Sequence, residues 1–237
     1  MALKIFGDET GENAPKKKSS FSDDVVGRFR SGYVENDRPV ALSDWRVTTG
    51  DPEVADKLVA LLGAPKGVEE WETKGEDGLE VFTEATEVEI ILDGSKALRQ
   101  DMVLYGRKGI IRVSDGETIT YPDEDKGQPD PQAGQSFKER KAEAKKGVGA
   151  EPRIQLWFRL ADEPDLGIFK FQSGSWSLVS DLSYHEVEEE LADLSEDGSK
   201  VRATLALEEV SFVAKNGERA GETVRYTKPT LTLHGKA

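Results

Sequence analysis

Residues 38–63 read RPVALSDWRVTTGDPEVADKLVALLG and join a strand-like polar and aromatic run to a helix. Asp51 is in position to cap this helix, Pro52 fits its first turn, and Gly63 is placed to end it. Between these signals the apolar side chains fall on one face, which predicts a helix packed against a core. These side chains are Val54, Leu58, Leu61 and Leu62.

Strand patterns dominate much of the remaining chain. Apolar and β-rich runs predict strands within residues 86–92, 110–121, 153–160, 167–173, 201–215 and 222–234. Asp115–Gly116 suits a two-residue hairpin turn, and Pro229 places the last strand at an edge or a bulge. A second helical stretch covers about 177–194, where Ser183 and Glu186 can form a capping box that would allow two segments. Because the strands come in hairpins and only two helices look substantial, we predict an α+β fold of antiparallel hairpins and sheets with two main helices.

Polar segments suggest how the chain is divided. Residues 1–20 are predicted to form a flexible arm, and 21–121 an N-terminal α+β region. Residues 122–150 are rich in Pro, Gly and charge and predict a polar linker that contains a short basic helix, followed by a C-terminal α+β region over 151–237. The sequence leaves open whether 122–150 joins two lobes or is an excursion from one domain.

Composition excludes several kinds of site. The 237 residues include no cysteine and two histidines, so thiolate nucleophiles and cysteine-based metal sites are excluded, and we predict neither a metal nor a cofactor. A phosphate-binding loop, a dinucleotide fingerprint and a nucleophile elbow are missing, so we predict no catalytic residue and no enzymatic activity. A hydrolase built on two of the 46 acidic residues stays as an alternative. Without an apolar leader or a membrane-length apolar run, we expect a cytoplasmic protein without membrane contact.

Charge argues against general nucleic-acid binding. The formal net charge is −14, whereas phosphate contacts need clustered Lys and Arg. Acidic runs within 69–93 and 186–197 could dock on a basic protein or serve as solvated surface. The main basic segment is the predicted helix at 137–146, in which Lys138, Arg140 and Lys141 could contact phosphate or an acidic surface. An accessory protein that binds DNA or single-stranded DNA through this helix is therefore one hypothesis, supported weakly by Lys16–Lys18, and a solvated helix is the alternative.

Three segments carry a resemblance to a known family. Residues 38–63, GRKGIIRVSDGE (106–117) and FRLADEPDLGIFKFQSGSW (158–176) resemble the recombination directionality factors of actinophage large serine integrases. The resemblance implies a protein that binds a DNA-bound large serine integrase in the bacterial host cytoplasm. Binding would switch the integrase from integration to excision between hybrid sites, without sequence-specific DNA binding by the factor. The contact is expected at the integrase's C-terminal zinc and coiled-coil region, and the oligomeric state stays open.

Candidate partner-interface residues follow from the chemistry of protein contacts. Aromatic and arginine side chains most often anchor such interfaces. The candidates in or beside the three segments are Arg38, Trp45, Arg46, Tyr105, Arg107 and Trp176, joined by Lys138, Arg140 and Lys141 of the basic helix. For each aromatic and arginine candidate, a role in the core or in stabilising the fold is the competing interpretation.

Overall fold

The structure is a computed structural model that describes residues 25–35, 38–72, 75, 77–213, 215 and 220–237. The predicted arm at residues 1–20, with Lys16–Lys18, lies outside the described residues. Each helix that the structure describes is too short or too polar to cross a bilayer.

Twelve strands and four α-helices make up most of the described chain. The strands are β1 (Val25–Glu35), β2 (Arg38–Thr49), β3 (Val68–Glu70), β4 (Leu79–Phe82), β5 (Glu87–Leu92), β6 (Leu98–Gly106), β7 (Gly109–Ser114), β8 (Ile119–Tyr121), β9 (Glu151–Leu160), β10 (Ile168–Ser173), β11 (Val201–Val213) and β12 (Thr223–Lys236). The helices are α1 (Pro52–Leu62), α2 (Phe137–Lys145), α3 (Trp176–Tyr184) and α4 (Val187–Leu194).

All twelve strands belong to one mixed sheet. Its main path runs β12-β11-β5-β9-β10-β1-β2-β4-β3, and β6 pairs with β9 beside β5 and continues to β7 and β8. β1 and β10 pair in parallel, whereas the other named strand pairs are antiparallel. The sheet thus unites strands from both ends of the chain.

The predicted α+β class with two main helices is wrong, because the protein is mostly β. Local sequence patterns reveal hairpins, but they do not show that the hairpins join into one sheet through β1–β10 and β5–β9. The predicted lobes at either side of 122–150 also share this sheet, since β9 pairs with both β5 and β6. The proposed boundaries of the chain's regions stay a prediction.

Two local predictions need smaller corrections. The hairpin at 110–121 is confirmed, but Ser114 pairs with Ile119, so its loop has four residues, 115–118. The Asp115 carboxylate accepts hydrogen bonds from the backbone of Glu117 and Thr118 and stabilises that longer loop. The helical stretch does divide into α3 and α4, but Glu186 adopts a left-handed conformation (φ 50°) instead of closing a capping box.

Helices α1, α3 and α4 cover one face of the sheet. As predicted, the Asp51 side chain caps α1 by accepting the Glu53 N–H at 2.8 Å. Val54 and Leu58 are buried, whereas Leu61 is 37% exposed, so the apolar face of α1 is narrower than predicted. Beneath the helices, aromatic rings meet edge to face, which is a favourable packing geometry.

Around β1 and β10 the opposite face of the sheet is polar, because side chains alternate along each strand. In β1, Phe29 is buried in the core while Arg28 and Arg30 point to the other side. In β10, Phe171 faces the core next to Phe29, and Lys170 lies beside Arg28. This alternation places cations from separate strands on one surface.

Candidate functional site

Six cationic side chains form a row across the polar face, named here the basic row. They come from β1, β2, β6, β9 and β10, and they are Arg28, Arg30, Arg46, Arg99, Arg153 and Lys170. Strand register aligns four of them: Arg30 pairs with Arg46, and Arg28 with Lys170. Further along the sheet Lys170 pairs with Trp157, and Arg153 with Asp101.

At the β2 end of the basic row, two carboxylates hold the arginines. Asp77 contacts Arg28, lies 3.8 Å from Arg30 Nη2, and accepts a hydrogen bond from the Thr48 hydroxyl at 3.0 Å. Arg46 Nε donates to Glu80 Oε2 at 2.6 Å, with most of the Arg46 side chain buried. These contacts fix the guanidinium groups in place.

At the β6 end one carboxylate serves two arginines. Asp101 Oδ2 accepts from Arg153 Nη2 at 3.1 Å and lies 2.8 Å from Arg99 Nε. Asp101 is fully buried, whereas Arg99 keeps about a third of its side chain exposed. Sharing one carboxylate between two guanidinium groups leaves an excess of positive charge here.

Lys170 occupies the centre of the basic row. Among the described residues no carboxylate forms an ion pair with it, and its ammonium lies 5.1 Å from the centre of the Trp157 ring. Partial burial lowers the pKa of Lys170, and the charges of Arg28, Arg153 and Arg99 lower it further. The six cations face three carboxylates, a surplus of three positive charges among these nine side chains.

The aromatic rings near the basic row are already engaged by cations. The guanidinium carbons of Arg30 and Arg46 lie 5.0 and 4.6 Å from the centre of the Trp71 ring. Trp157 lies under Lys170 and is only 4% exposed. These rings therefore position cations more than they offer open stacking surfaces.

The predicted basic helix forms as α2, but its cations do not stay together at the surface. Arg140 is fully buried and donates to the carbonyls of Gly116 at 2.7 Å and Gln135 at 3.3 Å. Burial lowers the pKa of Arg140, partly offset by the charge of Asp130. Lys138 is exposed and Lys141 half-buried, so α2 presents a weaker cationic surface than its sequence suggests.

The other predicted interface residues are scattered. Trp45 is fully buried in the core, and Trp176 is half-buried with its ring 5.2 Å from that of Phe137. Tyr105 and Arg107 are exposed at the β6–β7 hairpin, far in sequence from both. Arg38 lies in β2, but its side chain is outside the described part. Among the candidates whose side chains the structure describes, only Arg46 joins the basic row.

Sequence analysis missed a second exposed feature, named here the distal arm (residues 208–213 and 223–228). β11 and β12 pair along their length, but β5 follows β11 only as far as Ala206, so the arm is a two-stranded ribbon. One of its faces carries four apolar side chains, the arm cluster: Val210, Phe212, Val224 and Tyr226. Phe212 is 48% and Tyr226 42% exposed, with ring centres 6.3 Å apart. Alternating Val and aromatic residues in 210–212 and 224–226 were the available signal.

Within the described ranges no group of three or more His, Asp or Glu side chains is placed to hold a metal ion.

Comparison with known protein families gives a match over most of the chain. The family model Gp3-like, described as recombination directionality factor-like, matches residues 26–233. No solved structure matches the chain. The matched range includes the whole of the basic row and the distal arm.

Proposed function

We propose, from the premise that this chain belongs to the Gp3-like family of recombination directionality factor-like proteins, that it redirects a large serine integrase from integration to excision. The single observation that carries this proposal is the family match over residues 26–233, nearly the whole chain. The protein would act on the integrase bound to attachment-site DNA, as an accessory protein without catalysis of its own, in the cytoplasm of the bacterial host.

The proposal requires the protein to bind one arrangement of integrase more tightly than another. A ligand with equal affinity for both arrangements shifts neither. Moving a preference from 1:99 to 99:1 takes roughly 5.5 kcal/mol of differential binding. A contact of that strength needs exposed apolar or aromatic anchors, which usually lie at the centre of an interface.

The arm cluster supports such a contact. Its four apolar side chains lie on a ribbon that no third strand pairs with in the described chain, and two of them are large aromatic residues. Contiguous exposed apolar surface of this kind is typical of protein interaction sites. At the base of the arm, Lys228 Nζ donates to Asp181 Oδ2 of α3 at 2.6 Å and holds the ribbon against the body.

The test is a recombination assay in vitro with the cognate integrase, scored on the original and on the hybrid pair of attachment sites. Adding the protein should start recombination of the hybrid pair and suppress that of the original pair. No change on either pair, with an integrase shown to be active, would refute the proposal.

Variants locate the contact. We expect the double change Phe212→Ala and Tyr226→Ala to raise the concentration needed for switching at least tenfold, because loss of about 1.4 kcal/mol of binding gives that factor. Val213→Ala is the matched control, since Val213 is exposed on the opposite face of the same arm. If the double variant and the control switch the integrase equally well, the arm cluster is not the contact with the integrase.

A further inference from the structure

We propose that the basic row is a binding site for the phosphodiester backbone of nucleic acid, independent of base sequence. The proposal concerns residues that the integrase contact at the distal arm does not use. It can therefore hold or fail separately from the proposed function.

The first argument is charge. The protein as a whole carries −14, yet the basic row combines six cations with three carboxylates. The net negative charge opposes the approach of a polyanion, so the local surplus favours phosphate contact at the basic row. Arg28, Arg30 and Arg99 each keep a third or more of the side chain exposed and can reach a ligand.

The second argument is an excess of hydrogen-bond donors. Arg153 Nε and the Trp157 indole N–H have no acceptor within the described residues, although both are buried. Buried polar groups normally have partners. Guanidinium groups match phosphate oxygens in pairs, and the N–H groups of the more exposed Arg28, Arg30 and Arg99 can donate to an arriving anion.

The third argument is shape. The cations occur on five neighbouring strands, in the order β2-β1-β10-β9-β6, which spans roughly 19 Å at the usual strand spacing. A row of that length fits several successive phosphates, whereas a single acidic side chain would engage one end. Trp71 and Trp157 already contact cations, so their rings are not free to stack on nucleic-acid bases. We therefore expect the basic row to contact the phosphate backbone and not the bases.

Lys170 is the most informative residue to change. It is central, partly exposed, and without an ionic partner among the described residues, so its removal should leave the neighbouring Arg–carboxylate contacts in place. Lys141 on α2 is the matched control, since it is also a half-exposed lysine but lies outside the basic row. Arg99→Gln provides a second variant on a different strand.

The experiment measures binding of the purified full chain to fluorescent duplex and single-stranded oligonucleotides of arbitrary sequence over a series of salt concentrations. The unaltered protein should bind both, with affinity that falls linearly on a log–log plot of association constant against salt. Lys170→Gln should reduce that slope by about one unit and weaken binding to all sequences alike, as expected for loss of one phosphate contact. Lys141→Gln should keep the original slope.

Three outcomes would overturn the proposal. They are absence of binding to both oligonucleotides at low salt, equal slopes for Lys170→Gln, Arg99→Gln and Lys141→Gln, and binding of polyglutamate in preference to DNA. The last would assign the basic row to an acidic protein partner. The ratio of duplex to single-strand affinity identifies the preferred source of phosphate. Circular dichroism of each variant checks that it is folded, and the recombination assay reports on the integrase function separately.

Discussion

The cations of α2 and those of the basic row differ in how folding distributes them between the interior and the surface. Neither the sequence nor the number of charges reveals this difference. The α2 cations lie close together in sequence, but folding buries Arg140 and separates it from the exposed Lys138. The basic row is drawn from residues 28 to 170, and folding brings its members onto one face. A basic run in the sequence can therefore serve stability, while a basic surface can arise from strands that look ordinary one by one.

The largest effect that tests this comparison is expected at Arg140. Arg140→Met should lower the free energy of unfolding by about 2–4 kcal/mol, because it removes a buried charge-assisted hydrogen bond to the Gly116 carbonyl. Urea denaturation measures the change. Lys138→Met, on the exposed side of the same helix, should stay within about 0.5 kcal/mol. Equal losses in the free energy of unfolding at the two positions would show that α2 is loosely attached to the sheet. Arg140 would then not be a stabilising residue that differs from the basic row.

A smaller loss is expected where the basic row itself is buried. Arg46→Met removes the contact to Glu80 and the stacking on Trp71, which should cost about 1–3 kcal/mol. Arg28→Met is the matched change in the exposed part, and it should cost less than about 1 kcal/mol because the Arg28 side chain is 43% exposed and Asp77 keeps its contacts with Arg30 and Thr48. A larger loss in the free energy of unfolding for Arg28→Met than for Arg46→Met, measured by urea denaturation, would contradict this prediction.

Asp77 offers a way to sharpen the comparison through binding. Asp77→Asn removes the charge that holds Arg28 and Arg30, so the surplus of the basic row rises by one. We expect several-fold tighter binding to DNA at low salt and a steeper salt dependence. Asp56→Asn on the exposed side of α1 changes net charge equally and is the control. If both variants gain the same affinity, net charge alone governs binding and the basic row has no special role.

Much of the local structure was predictable from sequence, for physical reasons. The cap at Asp51, the first-turn Pro52 and the end at Gly63 act within one helix, so nearby residues suffice to place α1. The β9–β10 and β11–β12 hairpins and the edge position of Pro229 were also predicted, since each depends on adjacent strands.

The fold class and the basic row were not predictable in this way. They depend on the parallel contact between β1 and β10, which lie about 140 residues apart, and alternation shows only that Lys170 leaves the core, not which cations it meets. Arg140 was predicted to be a surface cation, and its burial was not predictable because it depends on a contact with a distant part of the chain. Its burial depends on the Gly116 carbonyl, which the four-residue loop at 115–118 presents to α2.

The smallest effect is expected at Lys170, and it has an unusual sign. Burial and neighbouring arginines hold the pKa of Lys170 below its usual value, so the unfolded chain binds this proton more tightly than the folded one. Below the folded-state pKa the lysine is charged in both states and its charge destabilises the fold; this destabilisation declines as the pH rises from the folded-state pKa toward the unfolded-state pKa. Lys170→Met should thus raise Tm at pH 7 by on the order of 1 °C. The difference in Tm between the variant and the unaltered protein should become smaller toward pH 10. Differential scanning calorimetry at both pH values measures it, with Lys138→Met as a control that should show no gain. A higher Tm of the Lys170 variant, together with a weaker salt dependence of DNA binding, would mean that the protein retains a destabilising charge because binding needs it. A lower Tm of the variant would instead show that Lys170 stabilises the fold.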